Sequence, residues 1–178
     1  MTRFFGRVSA LGLAVALAST VAVRAEDLKV GDKAPAFSLL GTDGKTYSLD
    51  QFKGKKGVVV AWFPKADTPG CTIECKSLKE NGDALKPLGV AYFTASVDTP
   101  EDNKKFAEKL GLDYPILSDP TKSVAQSYGV IGPRGVAQRW TYYIDKDGTI
   151  KEIDKKIVTK SAGADVAAKV KALGLTSN

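Results

Sequence analysis

The stretch that decides the fold reads Trp62-Phe-Pro-Lys-Ala-Asp-Thr-Pro-Gly-Cys-Thr-Ile-Glu-Cys75, and it contains both cysteines of the 178-residue chain. The short apolar run Gly57–Phe63 overlaps its start and predicts a buried strand. The residues that follow the stretch are typical of a helix. Both cysteines are therefore expected at a strand-to-helix junction.

The residues at this junction predict a reactive cysteine. Thr68 is a favourable helix N-cap residue, and Pro69 suits the first helical position. Cys71 then falls in the first turn, where backbone N–H groups lack helical partners and the helix dipole is positive. A thiolate is stabilised in such surroundings. We therefore expect Cys71 to be a nucleophile and not an inert buried thiol.

The same residues resemble the active-site motif of the peroxiredoxins, which in this chain is Pro64-x-x-x-Thr68-x-x-Cys71. The longer string Phe63–Thr72 looks like the bacterioferritin-comigratory, or peroxiredoxin Q, branch of that family. The resemblance covers most of the chain after residue 27. It implies a thioredoxin-like α/β fold and a thiol peroxidase for hydrogen peroxide and organic hydroperoxides. It implies no metal or organic cofactor.

The resemblance also assigns roles to the residues around the motif. Cys71 would be the peroxidatic cysteine, whose thiolate attacks the O–O bond and becomes a sulfenic acid. The Thr68 hydroxyl would hydrogen-bond the thiolate and the peroxide, although it could also cap the helix. Pro64 would shield the pocket and shape the loop; without the family it is simply a strand terminator.

An arginine and a glutamate complete the set of candidate site residues. Arg139-x-Thr-Tyr-Tyr-Ile-Asp145 resembles the family segment that supplies the active-site arginine just before a strand. A guanidinium there can hold the thiolate and the peroxide oxygens together. Glu74 stands where the family often has an acid that orients this arginine. The simpler interpretations are a surface ion pair for Arg139 and a helix-surface carboxylate for Glu74.

Cys75 departs from the pattern of the branch, which usually places a resolving cysteine five residues after the peroxidatic one. Here the spacing is four, and Lys76 occupies the usual position. On an intact helix such a pair has Cβ atoms about 5–6 Å apart, whereas a disulfide needs roughly 3.5–4.5 Å. We expect Cys75 to resolve the sulfenic acid only if the first turn unwinds. Resolution by an outside thiol and a disulfide between chains stay open.

The N-terminal 25 residues predict a secretory signal peptide. Arg3 and Arg7 precede the apolar run Ala10–Val23, and Val23-Arg-Ala25 fits a cleavage site. The alternative is a membrane anchor, but the run is short for a span of about 20 residues. The mature domain would then be residues 26–178, exported to the periplasm, with no membrane association after cleavage.

Net charge and cysteine usage argue against a nucleic-acid-binding protein and a zinc protein, and they bear on two other classes. Removing residues 1–25 takes away three arginines and no acid, so the formal net charge falls from +6 to +3, too mild to argue for nucleic acid. Two cysteines and no histidine cannot build a zinc site within one chain. The chain lacks the Cys-x-x-Cys motif that is usual in a disulfide oxidoreductase. It also lacks the histidine ligand that a copper chaperone of the Sco type needs. Both stay open as exported alternatives with the same fold.

The rest of the chain predicts one α/β sandwich domain. Strands are expected at 36–40, 45–49, 90–97, 114–117, 140–144 and 149–153, and helices at about 71–86, 98–110, 123–128 and 162–173. Thr42-Asp-Gly44 and Asp147-Gly148 predict hairpin turns. By resemblance, the partners are a hydroperoxide and a thioredoxin-like reductant, and the protein is a monomer or weak dimer.

Overall fold

The structure is a computed structural model, and it describes residues 27–177. These residues form a seven-stranded mixed sheet in the order β2-β1-β5-β4-β3-β6-β7. The strands are β1 (Ser38–Gly41), β2 (Thr46–Ser48), β3 (Val58–Trp62), β4 (Ala91–Ser96), β5 (Ile116–Ser118), β6 (Thr141–Ile144) and β7 (Ile150–Asp154). Strands β3, β4 and β5 run parallel, and every other neighbouring pair is antiparallel. The predicted signal peptide lies outside the described residues.

Helices cover both faces of this sheet. They are α1 (Pro69–Glu80), α2 (Gly82–Leu85), α3 (Pro100–Leu110), α4 (Ser123–Ser127) and α5 (Ala162–Ala172), with short 3-10 helices at Leu49–Gln51 and Lys86–Leu88. Val59 and Ala61 of β3 pack with residues of α1 and α5, while Val60 and Trp62 pack with the α4 side. This alternation is the two-residue period of a strand buried on both faces. The predicted α/β sandwich is confirmed.

The turn and cap predictions are confirmed at most junctions. The Thr99 hydroxyl accepts a hydrogen bond from the Asp102 N–H at the start of α3, and Gly111 ends that helix in the left-handed conformation. The hairpin β1–β2 turns through Thr42–Gly44, and β6–β7 turns through Asp147-Gly148. Within residues 27–177, no helix combines the length and apolar character needed to cross a membrane.

One predicted helix is wrong in its extent. The pattern predicted a helix from about Cys71 to Lys86, but α1 begins at Pro69 and ends at Glu80. The side-chain amide of Asn81 donates to the Ser77 carbonyl at 2.8 Å. This bond uses a carbonyl at the helix end, and the glycine that follows weakens helix propagation. The chain then continues as the single turn α2.

Candidate active site

The candidate site lies where β3 passes into α1. Strand β3 ends at Trp62, a loop spans residues 63–68, and Cys71 is the third residue of α1. Cys71 and Cys75 are free thiols in the structure, and both are fully buried. They pack with Phe63 and with apolar residues of α3 and β5. Because the strand and the helix are both well packed, the position of the Cys71 sulfur is set by the core.

The loop before α1 is anchored by a residue that sequence reasoning used only as a helix start. The Asp98 carboxylate accepts a hydrogen bond from the Ala66 N–H at 2.8 Å. The next residue, Asp67, adopts a left-handed conformation with φ +58°. Asp98 follows β4, which runs parallel beside β3, so both strand ends reach the same edge of the sheet. Residues that follow neighbouring parallel strands lie at the same edge of a sheet, and this rule could have identified Asp98 from the sequence.

Thr68 occupies the predicted cap position but does not use its side chain as a cap. Its backbone is extended, and Pro69 follows at the first helical position, as predicted. The Thr68 hydroxyl donates instead to the Lys65 carbonyl at 3.0 Å and accepts no backbone N–H of α1. The predicted capping bond is therefore wrong, because the hydroxyl closes the loop. Its role toward a peroxide stays a prediction.

Arg139 reaches Cys71 from the neighbouring strand. It lies just before β6, which is antiparallel to β3, so the start of β6 is adjacent to the end of β3. Its Nη2 donates to the Cys71 sulfur at 3.3 Å, and its Nη1 forms an ion pair with Glu74. Arg134, the other arginine of residues 26–178, is exposed in the preceding turn. The structure thus brings Cys71, Glu74 and Arg139 together.

Glu74 is a buried carboxylate beneath the arginine. Its side chain is 1% exposed, whereas that of Arg139 is 22% exposed. Burial raises the pKa of Glu74 to about 7, although the Arg139 charge acts in the opposite direction. Its Oε1 has no hydrogen-bond partner among residues 27–177. Such a desolvated pair does not stabilise a fold by itself, but it holds the guanidinium in one orientation.

Cys75 lies one turn further along α1 in different surroundings. The Tyr114 hydroxyl donates to its backbone carbonyl at 2.9 Å. Burial raises the pKa of the Cys75 thiol to about 12, and the nearby Glu74 charge acts in the same direction. Cys75 is therefore a protonated thiol while α1 is intact. Sequence reasoning missed Tyr114, because its contact joins residues 39 positions apart.

Two further observations complete the site. Pro64 is half-buried at the start of the loop, directly after the buried Phe63. Among residues 27–177, no group of three or more cysteine, aspartate or glutamate side chains is arranged to hold a metal ion. The candidate site therefore has the Cys71 thiol beside the Arg139 guanidinium at the N-terminus of α1.

This arrangement agrees with what comparison with known proteins finds. The family model described as AhpC/TSA family matches residues 30–153. The chain belongs to the AhpC/TSA family. Escherichia coli Peroxiredoxin Bcp is 40% identical over 133 residues, which cover 71% of this chain and 85% of that protein. A putative peroxiredoxin bcp of Haemophilus influenzae is 38% identical over 141 residues, covering 75% of this chain and 90% of that protein.

A solved structure supports the same family and fold. The Mycobacterium tuberculosis peroxidoxin BcpB superposes with a TM-score of 0.73 at 31% identity, covering 82% of this chain and 97% of that one. The thioredoxin-like fold and the bacterioferritin-comigratory branch are thereby confirmed. The protein is a peroxiredoxin, an oxidoreductase that acts as a thiol peroxidase.

Proposed function

We propose that Cys71 is the peroxidatic cysteine and that the substrates are hydrogen peroxide and small organic hydroperoxides. The observation that carries the proposal is the contact of 3.3 Å from Arg139 Nη2 to the Cys71 sulfur in the first turn of α1. The thiolate attacks one peroxide oxygen, the O–O bond breaks, and the other oxygen leaves with a proton as water or alcohol. Cys71 becomes a sulfenic acid.

The residues around Cys71 are proposed to stabilise this step. Arg139 holds the thiolate and the negative charge that develops on the leaving oxygen. Glu74 orients the guanidinium through their ion pair. The Thr68 hydroxyl turns from the Lys65 carbonyl to hydrogen-bond the bound peroxide, and Pro64 limits access of water to the pocket.

We further propose that Cys75 resolves the sulfenic acid within the chain. Its thiol attacks the Cys71 sulfur, forming the disulfide and releasing water. Two features of Cys75 support the proposal that α1 opens first: its side chain is 0% exposed, and burial raises the pKa of its thiol to about 12. Attack needs a thiolate, and the pair needs Cβ atoms closer than on an intact helix. A thioredoxin-like dithiol protein would then reduce the disulfide.

Intact mass spectrometry tests both cysteines together. The reduced protein receives one equivalent of hydrogen peroxide, beside Cys75→Ser treated in the same way. We expect the wild type to lose two hydrogens and the variant to gain one oxygen. A wild type that gains oxygen or forms a linked dimer would contradict intrachain resolution by Cys75. If neither protein reacts within seconds, Cys71 is not peroxidatic.

The compartment and the assembly are separate parts of the proposal. Residues 1–25 are proposed to direct export to the periplasm, leaving a mature monomer or weak dimer from Glu26. The supporting features are the basic start, the apolar run and the cleavage pattern of the sequence. N-terminal sequencing of the periplasmic fraction from cells expressing the full chain should begin at Glu26. Recovery of uncleaved chain in the membrane fraction would favour an anchor.

A further inference from the structure

Helix α1 is held to the rest of the molecule very differently along its length. Before residue 75, the Cys71 and Glu74 side chains of α1 bond to the Arg139 guanidinium, which lies outside the helix. From residue 75 onward, hydrogen bonds to distant segments follow at almost every second residue. They include the bonds from Tyr114 Oη to Cys75 O at 2.9 Å, from Ser77 Oγ to Lys160 O at 3.0 Å, and from Lys79 Nζ to Leu110 O at 3.1 Å.

Tyr114 is the first of these ties, and it acts on the residue that must move. Its side chain is buried, and it lies in the segment that leads from α3 into β5. Cys75 packs with Phe63, Phe106 and other apolar residues, so it must leave this cluster before its thiol can ionise. Displacing the Cys75 backbone breaks the bond from the Tyr114 hydroxyl. That bond therefore opposes the opening of α1.

We propose that Tyr114 is a latch that holds the Cys75 turn of α1 closed and so sets the rate of disulfide formation. The proposal rests on the resolving role of Cys75 proposed above. A closed latch leaves the Cys71 sulfenic acid exposed to a second peroxide for longer. That second reaction consumes one hydroperoxide, adds an oxygen to the sulfur to give a sulfinic acid, and releases water or alcohol. Tyr114 thus also sets how much peroxide the enzyme tolerates.

Tyr114→Phe removes the hydroxyl and keeps the ring. Tyr92→Phe is the matched control, because the Tyr92 ring packs against Tyr114 with centroids 5.4 Å apart and belongs to β4, not to α1. Rapid-quench mass spectrometry would follow the sulfenic acid and the disulfide after one equivalent of peroxide. We expect disulfide formation in Tyr114→Phe to be about three- to tenfold faster, the range for loss of one hydrogen bond. Tyr92→Phe should match the wild type.

Two further readouts separate a latch from a general loosening of the fold. With Cys75→Ser as background, Tyr114→Phe should leave the rate of Cys71 sulfenylation unchanged. In the reduced protein, amide hydrogen exchange at residues 75–79 should accelerate in Tyr114→Phe but not in Tyr92→Phe. The peroxide concentration that converts half of the protein to sulfinic acid should rise by the same factor as the resolution rate.

The outcomes distinguish the latch from the function on which it rests. If the wild type forms the disulfide and Tyr114→Phe resolves no faster than Tyr92→Phe, the latch is wrong while the resolving role of Cys75 stands. If the wild type forms no intrachain disulfide, both fail together. Accelerated exchange throughout the sheet in Tyr114→Phe would also overturn the latch, because the hydroxyl would then be a general support of the fold.

Discussion

Cys71 and Cys75 lie four residues apart on one helix and are equally buried, yet the charged groups beside them differ. A guanidinium nitrogen of Arg139 lies 3.3 Å from the Cys71 sulfur, at the positive end of α1. No cation of residues 27–177 is hydrogen-bonded to the Cys75 sulfur; burial and the Glu74 charge raise the pKa of this thiol to about 12. Burial alone therefore does not decide whether a thiol is inert.

The strongest test of this comparison exchanges each sulfur for oxygen. Cys71→Ser should lower the second-order rate of peroxide consumption by at least about a thousandfold, because a serine hydroxyl is a weak nucleophile without a base. Cys75→Ser should consume its first equivalent of peroxide at the wild-type rate. Stopped-flow measurement of peroxide loss in a single turnover checks both. If the two variants lose the first turnover to the same extent, Cys71 and Cys75 do not differ in their roles in the reaction with peroxide.

The next largest effect should come from removing the planar cation. Arg139→Lys keeps a positive charge but loses the fork that contacts both Cys71 and Glu74. We expect the rate of Cys71 sulfenylation to fall by about 10²–10³-fold, as for loss of a donor to developing negative charge. Arg134→Lys is the control and should keep the wild-type rate. Similar losses in both variants would show that the effect does not depend on the contacts of Arg139 with Cys71 and Glu74.

The pH dependence of the free energy of unfolding measures the electrostatic cost of burying Glu74. Its folded pKa of about 7 lies above its ordinary value of 4.5, so the folded state retains a proton that the unfolded chain loses between those values. The free energy of unfolding should therefore decrease as pH rises from 4.5 to 7. In Glu74→Gln this loss disappears. The free energy of unfolding of the variant should therefore rise relative to that of the wild type by on the order of 2 kcal/mol between pH 5 and pH 8.

Urea unfolding of the reduced proteins at the two pH values measures this gain. Glu80→Gln serves as the control, because Glu80 is an exposed carboxylate on the same helix. A Glu74→Gln difference that is equal at pH 5 and pH 8 would refute the raised pKa.

The smallest expected effect concerns the space beside the guanidinium. A Cβ added at Gly70 would lie 3.2 Å from Arg139 Nη2, so the arginine must shift by a few tenths of an ångström. Gly70→Ala should therefore slow Cys71 sulfenylation by about three- to tenfold, since small misplacements of a positioning group are costly. Alanine favours a helix, so the melting temperature should not fall. Unchanged kinetics would mean that the arginine contact tolerates displacement.

The prediction from sequence was most successful where one local pattern carried the information. The apolar run predicted β3, and the cap residues predicted that Cys71 lies in the first turn of α1. The predicted pairing of Arg139 with Cys71 and Glu74 came from the family resemblance, and the structure brings these three side chains together. Their catalytic roles stay predictions. The end of α1 was missed, because helix-forming residues continue beyond it, whereas the Asn81 side-chain bond and the glycine that follows end the helix.

The sequence by itself determined the strand, the loop and the helix that present Cys71, because strand burial, helix caps and dipoles act over a few neighbouring residues. Only the tertiary structure decided how Cys75 is held and how the loop is anchored. The Tyr114 bond to Cys75 and the Asp98 bond to Ala66 join residues 39 and 32 positions apart. Such contacts depend on how β4 and β5 are placed against α1 and the loop, and no local pattern in the chain encodes that placement.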